Sequence, residues 1–124
     1  IGLMKALGAS NGYVLRDAPA MVIPFVALAG AAHAYPDQRR RSHERDLFVL
    51  SGGAAVQNFM IAVAARGAAT AWVSSTVFCP DVVAQALAVP PDWQPLGAIA
   101  VGYAAQEPAP RPTRTTDGYL TVID

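Results

Sequence analysis

The apolar residues of this chain gather into runs that polar, proline-bearing or glycine-bearing stretches separate. The first run lies in residues 18–32 (APAMVIPFVALAGAA), where β-branched and aromatic residues concentrate between Met21 and Ala29. It predicts a buried strand, bounded by Gly30 and the Ala-His-Ala-Tyr-Pro stretch. Pro24 has no N–H to give to a ladder, so an edge or an irregularity is expected there. Residues 36–46 (PDQRRRSHERD) form a polar connection of mixed charge. Ser42 is the predicted helix N-cap, and Glu44 and Asp46 suit the positive end of the helix dipole. Residues 46–66 predict one long helix, with Arg66 in its last turn and Gly67 just past its end. Such a helix spans roughly 30 Å. Its apolar residues occupy every face, which predicts a central, buried helix. The small residues Ser51, Gly52, Gly53, Ala54 and Ala55 leave room for another backbone or a flat ligand.

The second half is more segmented. Thr70 to Ser75 predicts a strand, Pro80 to Ala88 a short helix with proline at its start, and Pro90-Pro91-Asp92 a turn. Leu96 to Ala104 (LGAIAVGYA) is apolar enough for a central strand. Residues 105–117, rich in Pro, Thr and Arg, predict an extended arm. Tyr119 to Ile123 alternates and is a candidate to add to a sheet edge, on this subunit or on a second one. Together these elements predict a single-core α/β piece with the order of its strands left open.

Composition sharpens that picture. A length of 124 residues corresponds to about one small domain. The first residue is Ile1, and the opening has no signal-peptide pattern, so the chain reads as a piece cut from something longer. Apolar residues make up 53% and charged residues 15%, a surface poor in charge that is expected to be covered by a missing segment or a partner subunit. Nine Lys and Arg balance nine Asp and Glu, so the basic footprint of a general nucleic-acid binder is absent. The single cysteine, Cys79, excludes an intrachain disulfide and fits a reducing, cytoplasmic setting.

Several features invite a functional reading. Leu47 to Ala65 has the length of a membrane span, but Ser51, Gln57 and Asn58 would need partners in hydrocarbon, which favours a buried soluble helix. The basic residues Arg39, Arg40, Arg41 and Arg45 are interleaved with Asp37, Glu44 and Asp46, the pattern of a solvated loop. Gln57 and Asn58 need hydrogen-bond partners if buried. One of them is a candidate to meet a polar ligand or cross a subunit interface. Cys79 has neither His33 nor His43 in a catalytic pattern, so it reads as structural. Two separated histidines and one cysteine form no metal-ligand spacing. Ser74 and Ser75 end the strand Trp72-Val73-Ser74-Ser75-Thr76, where exposed amides and hydroxyls can receive a ligand. Arg111 and Arg114, in the Pro-rich arm, carry the planar fork suited to a phosphate monoester.

In order and wording, the segments LRDAPAMVIPFVAL, ERDLFVLSGGAAVQNFMIAVAARG, TAWVSSTVFCPDVVAQAL and WQPLGAIAVGYAAQEPAPRP resemble the nitroreductase family of FMN-binding dimers. SGGAAVQN, WVSSTVF with the following PDVV, and the phrase from Trp93 to Gly102 are most similar to the C-terminal domain of bifunctional coenzyme F-420:L-glutamate ligases. The resemblance covers nearly all of residues 12–124. It implies the α+β class with a mixed sheet flanked by helices, a homodimer with FMN at its interface, and a chain that forms the C-terminal part of that domain. It places Ser74 and Ser75 beside the flavin ring, gives Arg111 the FMN phosphate and makes Arg114 a second candidate for it. The N-terminal basic motif of the family does not occur in this chain. The implied activity is reduction of a deazaflavin, coenzyme F-420 or its precursor, coupled in the parent protein to γ-glutamyl ligation. No acid–base residue is nominated. A stand-alone NAD(P)H-dependent nitroreductase and a non-enzymatic F-420-binding dimer module are the alternatives.

Overall fold

The computed structural model of the chain describes residues 9–29, 33–104 and 112–123. Helix α1 (Ala9–Asp17) leads into the short strands β1 (Ala20–Val22) and β2 (Phe25–Ala27). Helix α2 (Gln38–Ala64) follows, then β3 (Ala69–Val73), a 3-10 turn (Ser75–Phe78), α3 (Pro80–Leu87), β4 (Trp93–Pro95) and β5 (Ala98–Gly102). The strands form two antiparallel sheets, β1-β5-β3 and β2-β4. The fold is α+β, as the family resemblance implies.

The predicted first strand is divided in two at Ile23-Pro24. β1 pairs with β5, and β2 leaves for the second sheet to pair with β4. Pro24, which cannot donate, instead accepts: its carbonyl takes the Leu96 N–H at 2.9 Å. The short strand Trp93–Pro95 was not foreseen, because two prolines and an aspartate precede it and only three residues pair.

The core lies on β5. Ala98 and Ala100 share one face with Val73 of β3 and with Leu15 of α1, and Ala18, Ile23 and Ala71 pack around them. Ile99, on the opposite face, is 1% exposed. A strand covered on both faces needs no polar alternation, which is why this segment reads as an unbroken apolar run.

Helix α2 departs from expectation in two ways. It begins at Gln38, with Asp37 as N-cap: the Asp37 carboxylate accepts the Arg40 N–H at 2.9 Å. Ser42 is therefore inside the helix. The Gln, Arg and Glu residues of 38–45 are good helix formers, and their polarity hid two turns of helix within an apparent loop. The helix ends at Ala64, and Gly67 takes the left-handed backbone just beyond it (φ 76°). Among the described residues, moreover, the helix is not enclosed. Val56 is its one buried residue, while Leu47, Leu50 and Ile61 stand exposed. Gln57 and Asn58 are exposed as well, so they place no demand for buried partners on this chain. By length and composition alone the helix qualifies to cross a membrane.

The small-residue stretch of α2 does permit a close approach. A Cβ at Gly52 would stand 2.3 Å from Leu96 Cδ1 and 3.0 Å from Val26 Cγ2, so it is the β2-β4 side of the fold that presses there. Gly53 has open space instead. The arm splits as well: residues 105–111 lie outside the described segments, and 112–123 are irregular and exposed. Tyr119 to Ile123 is not a strand; Asp117–Tyr119 is a turn, and the rest pairs with nothing among the described residues.

Candidate functional site

β3 is an edge strand of its sheet, and its C-terminal end is held in an unusual way. The Trp72 indole Nε1–H donates to the Leu96 carbonyl at 2.8 Å, tying β3 to the residue just before β5. This requires glycine at 97. Its φ of 112° lies in the left-handed region, and a Cβ there would stand 2.3 Å from Trp72 Nε1 and 2.8 Å from the Val73 carbonyl. The indole remains 45% exposed.

Immediately after this anchor the chain turns. Ser74 accepts the Val77 N–H at its carbonyl (2.9 Å), and Thr76 accepts the Cys79 N–H (3.3 Å). The Cys79 thiol donates to the Ser75 carbonyl at 3.4 Å. Cys79 is a free thiol and partly buried. The Ser74 hydroxyl is exposed and makes no cap to the turn; Ser75 is half-buried. Thr76 is fully buried, and its Oγ1 has no hydrogen-bond partner, a condition that native interiors rarely leave standing. Phe78, next along, is 83% exposed. Within a few residues the strand end thus carries an exposed serine, two exposed aromatic residues and a buried, unpartnered threonine hydroxyl. Such an edge suits a flat, heteroatom-bearing ring.

The two serines are brought together, but the arginines are not joined to them. Arg111 lies outside the described residues. Arg114 is in the exposed segment 112–123, and among the described residues it enters no ion pair.

The basic run is not a loop. Arg40 and Arg45 belong to the first turns of α2. Arg40 Nε pairs with Asp37 at 3.0 Å, and Arg45 donates to Gln94 Oε1 at 2.8 Å, linking α2 to β4. A second feature here escaped sequence reasoning. The His33 N–H donates to both Glu44 carboxylate oxygens at 3.1 Å, and its ring Nδ1 contacts the same group. This hydrogen-bonding from His33 holds the Glu44 carboxyl below its ordinary value of 4.5. Beside this clasp is a hollow of about 450 Å³ lined by residues of both segments. Eleven positions separate the two residues, and only the turn into α2 at Asp37 closes that distance.

The nitroreductase family model matches residues 4–103. The chain belongs to the nitroreductase family. Solved nitroreductase structures share the fold. A nitroreductase family protein from Streptococcus pneumoniae superposes with a TM-score of 0.78 at 17% identity, over 98% of this chain and 73% of that one. A nitroreductase-like protein from Bacillus cereus gives 0.67 at 18% identity, over 98% and 66%. A nitroreductase from Bacteroides fragilis, solved with bound FMN, gives 0.61 at 20% identity, over 99% and 67%. The chain thus spans about two thirds to three quarters of the length of these nitroreductases.

Proposed function

We propose that this chain is the C-terminal part of an FMN-dependent oxidoreductase domain that works as a cytoplasmic homodimer. The observation that carries this reading is the end of β3. In a chain of the nitroreductase family, the segment that resembles the ring-side segment of the family ends in an exposed Ser74 hydroxyl flanked by Trp72 and Phe78. FMN bound by the solved Bacteroides fragilis relative supports the same cofactor here. Bound there, the flavin supplies hydride transfer. Ser74 and Ser75 would hold the ring edge through hydroxyl or backbone groups, and the exposed aromatics would exclude water from its face. Arg111, with Arg114 as the second candidate, would hold the phosphate by charge-assisted bonds. Residues 105–124 would act as an arm.

The finer reading is reduction of a deazaflavin, coenzyme F-420 or its precursor, in a parent protein that also adds γ-glutamyl units. It rests on the phrases SGGAAVQN, WVSSTVF-C-PDVV and the Trp93–Gly102 segment. The first test is the visible spectrum of the parent domain, with its N-terminal segment present and FMN supplied. A flavin band that survives gel filtration is expected, and a colourless protein would overturn the reading. Titration with F-420 then separates the finer proposal from its rival. Binding of F-420 supports it. Turnover of NAD(P)H and nitroaromatics with no affinity for F-420 identifies a stand-alone nitroreductase.

A further inference from the structure

The chain passes from one sheet to the other at two places, and both lie beside the end of β3. The first is Ile23-Pro24, between β1 and β2. The second is Leu96-Gly97, between β4 and β5. The Leu96 N–H donates to the Pro24 carbonyl at 2.9 Å, which joins the two crossings. Leu96 is buried and reaches α2 as well. Its Cδ1 lies 2.3 Å from where a Cβ on Gly52 would stand, so it packs on the bare backbone of that helix. One residue thus gathers both sheets and the long helix.

A side chain fastens β3 to this junction. The backbone ladder between β3 and β5 stops at the Val73–Ala98 pair. One step further would pair Ser74 with Gly97, but the left-handed backbone of Gly97 (φ 112°) turns the chain away toward β4. Among the described residues β3 has no strand on its other side. Beyond Val73, the bond from the Trp72 indole to the Leu96 carbonyl takes the place of the missing step. Trp72 pairs with Ile99 across the strands, on the face opposite Val73, and its ring lies over Gly97. An aromatic side chain laid on a cross-strand glycine is a device that pins sheet register. The turn itself has no such tie. The Ser74 and Thr76 carbonyls accept from Val77 and Cys79, and the Ser75 carbonyl accepts from the Cys79 thiol, all within the same turn.

We propose that Trp72 is the positioning residue for the turn that the flavin reading sets beside the ring. The inference rests on that reading. The indole N–H fixes where Ser74, Ser75 and Thr76 stand relative to the two sheets, and through them where a flavin ring is held. Trp72 acts through the Leu96 carbonyl and not on the reacting atoms. Without that bond the last fixed point of β3 is the Val73–Ala98 pair, and the turn pivots about it. Groups aimed at the ring edge then lose their alignment, and a hydrogen bond weakens steeply as it bends.

The test titrates the full-length protein with FMN and with riboflavin, which has the same ring and no phosphate. Trp72→Phe keeps an aromatic ring and removes the N–H. The tryptophan analogue 3-benzothienylalanine, incorporated at position 72, puts sulfur in place of the N–H and keeps the shape, so it decides the matter if the Phe variant folds poorly. Either change should weaken both flavins by about five- to tenfold and by the same factor, as expected for one lost neutral hydrogen bond. At saturating FMN the visible bands of the bound flavin should also shift, because the surroundings of its ring have moved. A variant that is only less stable leaves those bands where they were. Unchanged affinity in the analogue would therefore overturn the positioning role and leave the flavin reading intact. So would weaker binding with unmoved bands, or a loss confined to FMN, which would place the effect at the phosphate end. If the unaltered protein binds neither flavin, the flavin reading itself fails, and this role with it.

Discussion

Ile99 in β5 and Leu50 in α2 are aliphatic side chains of the same size with opposite fates: the first is 1% exposed, the second 68%. Around Ile99 the sheet closes on itself. β5 has a hydrogen-bonded neighbour on each side, α1 covers one face, and the small residues Ala98 and Ala100 let the layers meet. Around Leu50 nothing among the described residues closes. Leu47 and Ile61 share its exposure, although the helix touches the sheets along the side of Val56 and Gly52. The imbalance is visible in total area. The chain exposes 9422 Å², whereas a compact monomer of its mass exposes about 6,300 Å². Part of that excess lies on the exposed segment 112–123 and part on the open face of α2. One region is a finished core. The other is an apolar helix face left open among the described residues, as the proposed dimer would require.

That contrast can be broken or sharpened by substitution. The largest effect is expected at the finished core. Ile99→Ala should destabilise the protein by about 2–5 kcal/mol, read as a shift in the chemical-denaturation midpoint at unchanged slope. Gly97→Ala comes next. The left-handed φ and the clash with Trp72 should cost about 1–3 kcal/mol, and the tryptophan emission should change as the bond to Leu96 is lost. At the unfinished core, Leu50→Ala tests what covers the helix. If α2 remains bare, unfolding should move by no more than about 0.5 kcal/mol. If a second copy covers it, sedimentation should show association weakened by about 1.5–3 kcal/mol. We expect the second result.

The smallest effect is at the clasp that joins His33 to the first turns of α2. The Glu44 carboxyl is held below its ordinary value, so its contribution to stability is present above about pH 4.5 and is lost as pH falls through the folded value. Glu44→Gln should therefore be less stable than the parent protein at pH 7. The gap between the two should narrow as pH falls below about 4.5 in parallel denaturation curves.

Much of the sheet was legible beforehand. LGAIAVGYA reads as a central strand because burial on both faces removes any polar alternation, and Pro24 marks the break because a missing N–H is a local property. The helix was misread for an equally physical reason. QRRRSHER is polar enough for a loop, yet its residues have good helix propensity, and Asp37 supplies the cap. Enclosure of α2 was inferred from apolar residues on every face, but that pattern says only that the faces will be covered, not by which chain. At the candidate site, the end of β3 just before Ser74 was legible from the strand-end motif. The role of Gly97 beneath Trp72 was not, since the contact joins residues 25 positions apart.

The sequence by itself determined the local matters: which runs become strands and helix, where proline interrupts, which hydroxyls end β3, and, through its motifs, the nitroreductase family. Propensity, periodicity and turn chemistry act over a few residues and can be read there. Only the tertiary structure decided that β1 and β2 enter different sheets, that Trp72 is pinned over Gly97, that Glu44 closes on His33 and that one face of α2 stays open. Each of these depends on long-range contacts, whose formation is set by chain-wide packing and by hydrogen bonds that no local pattern encodes.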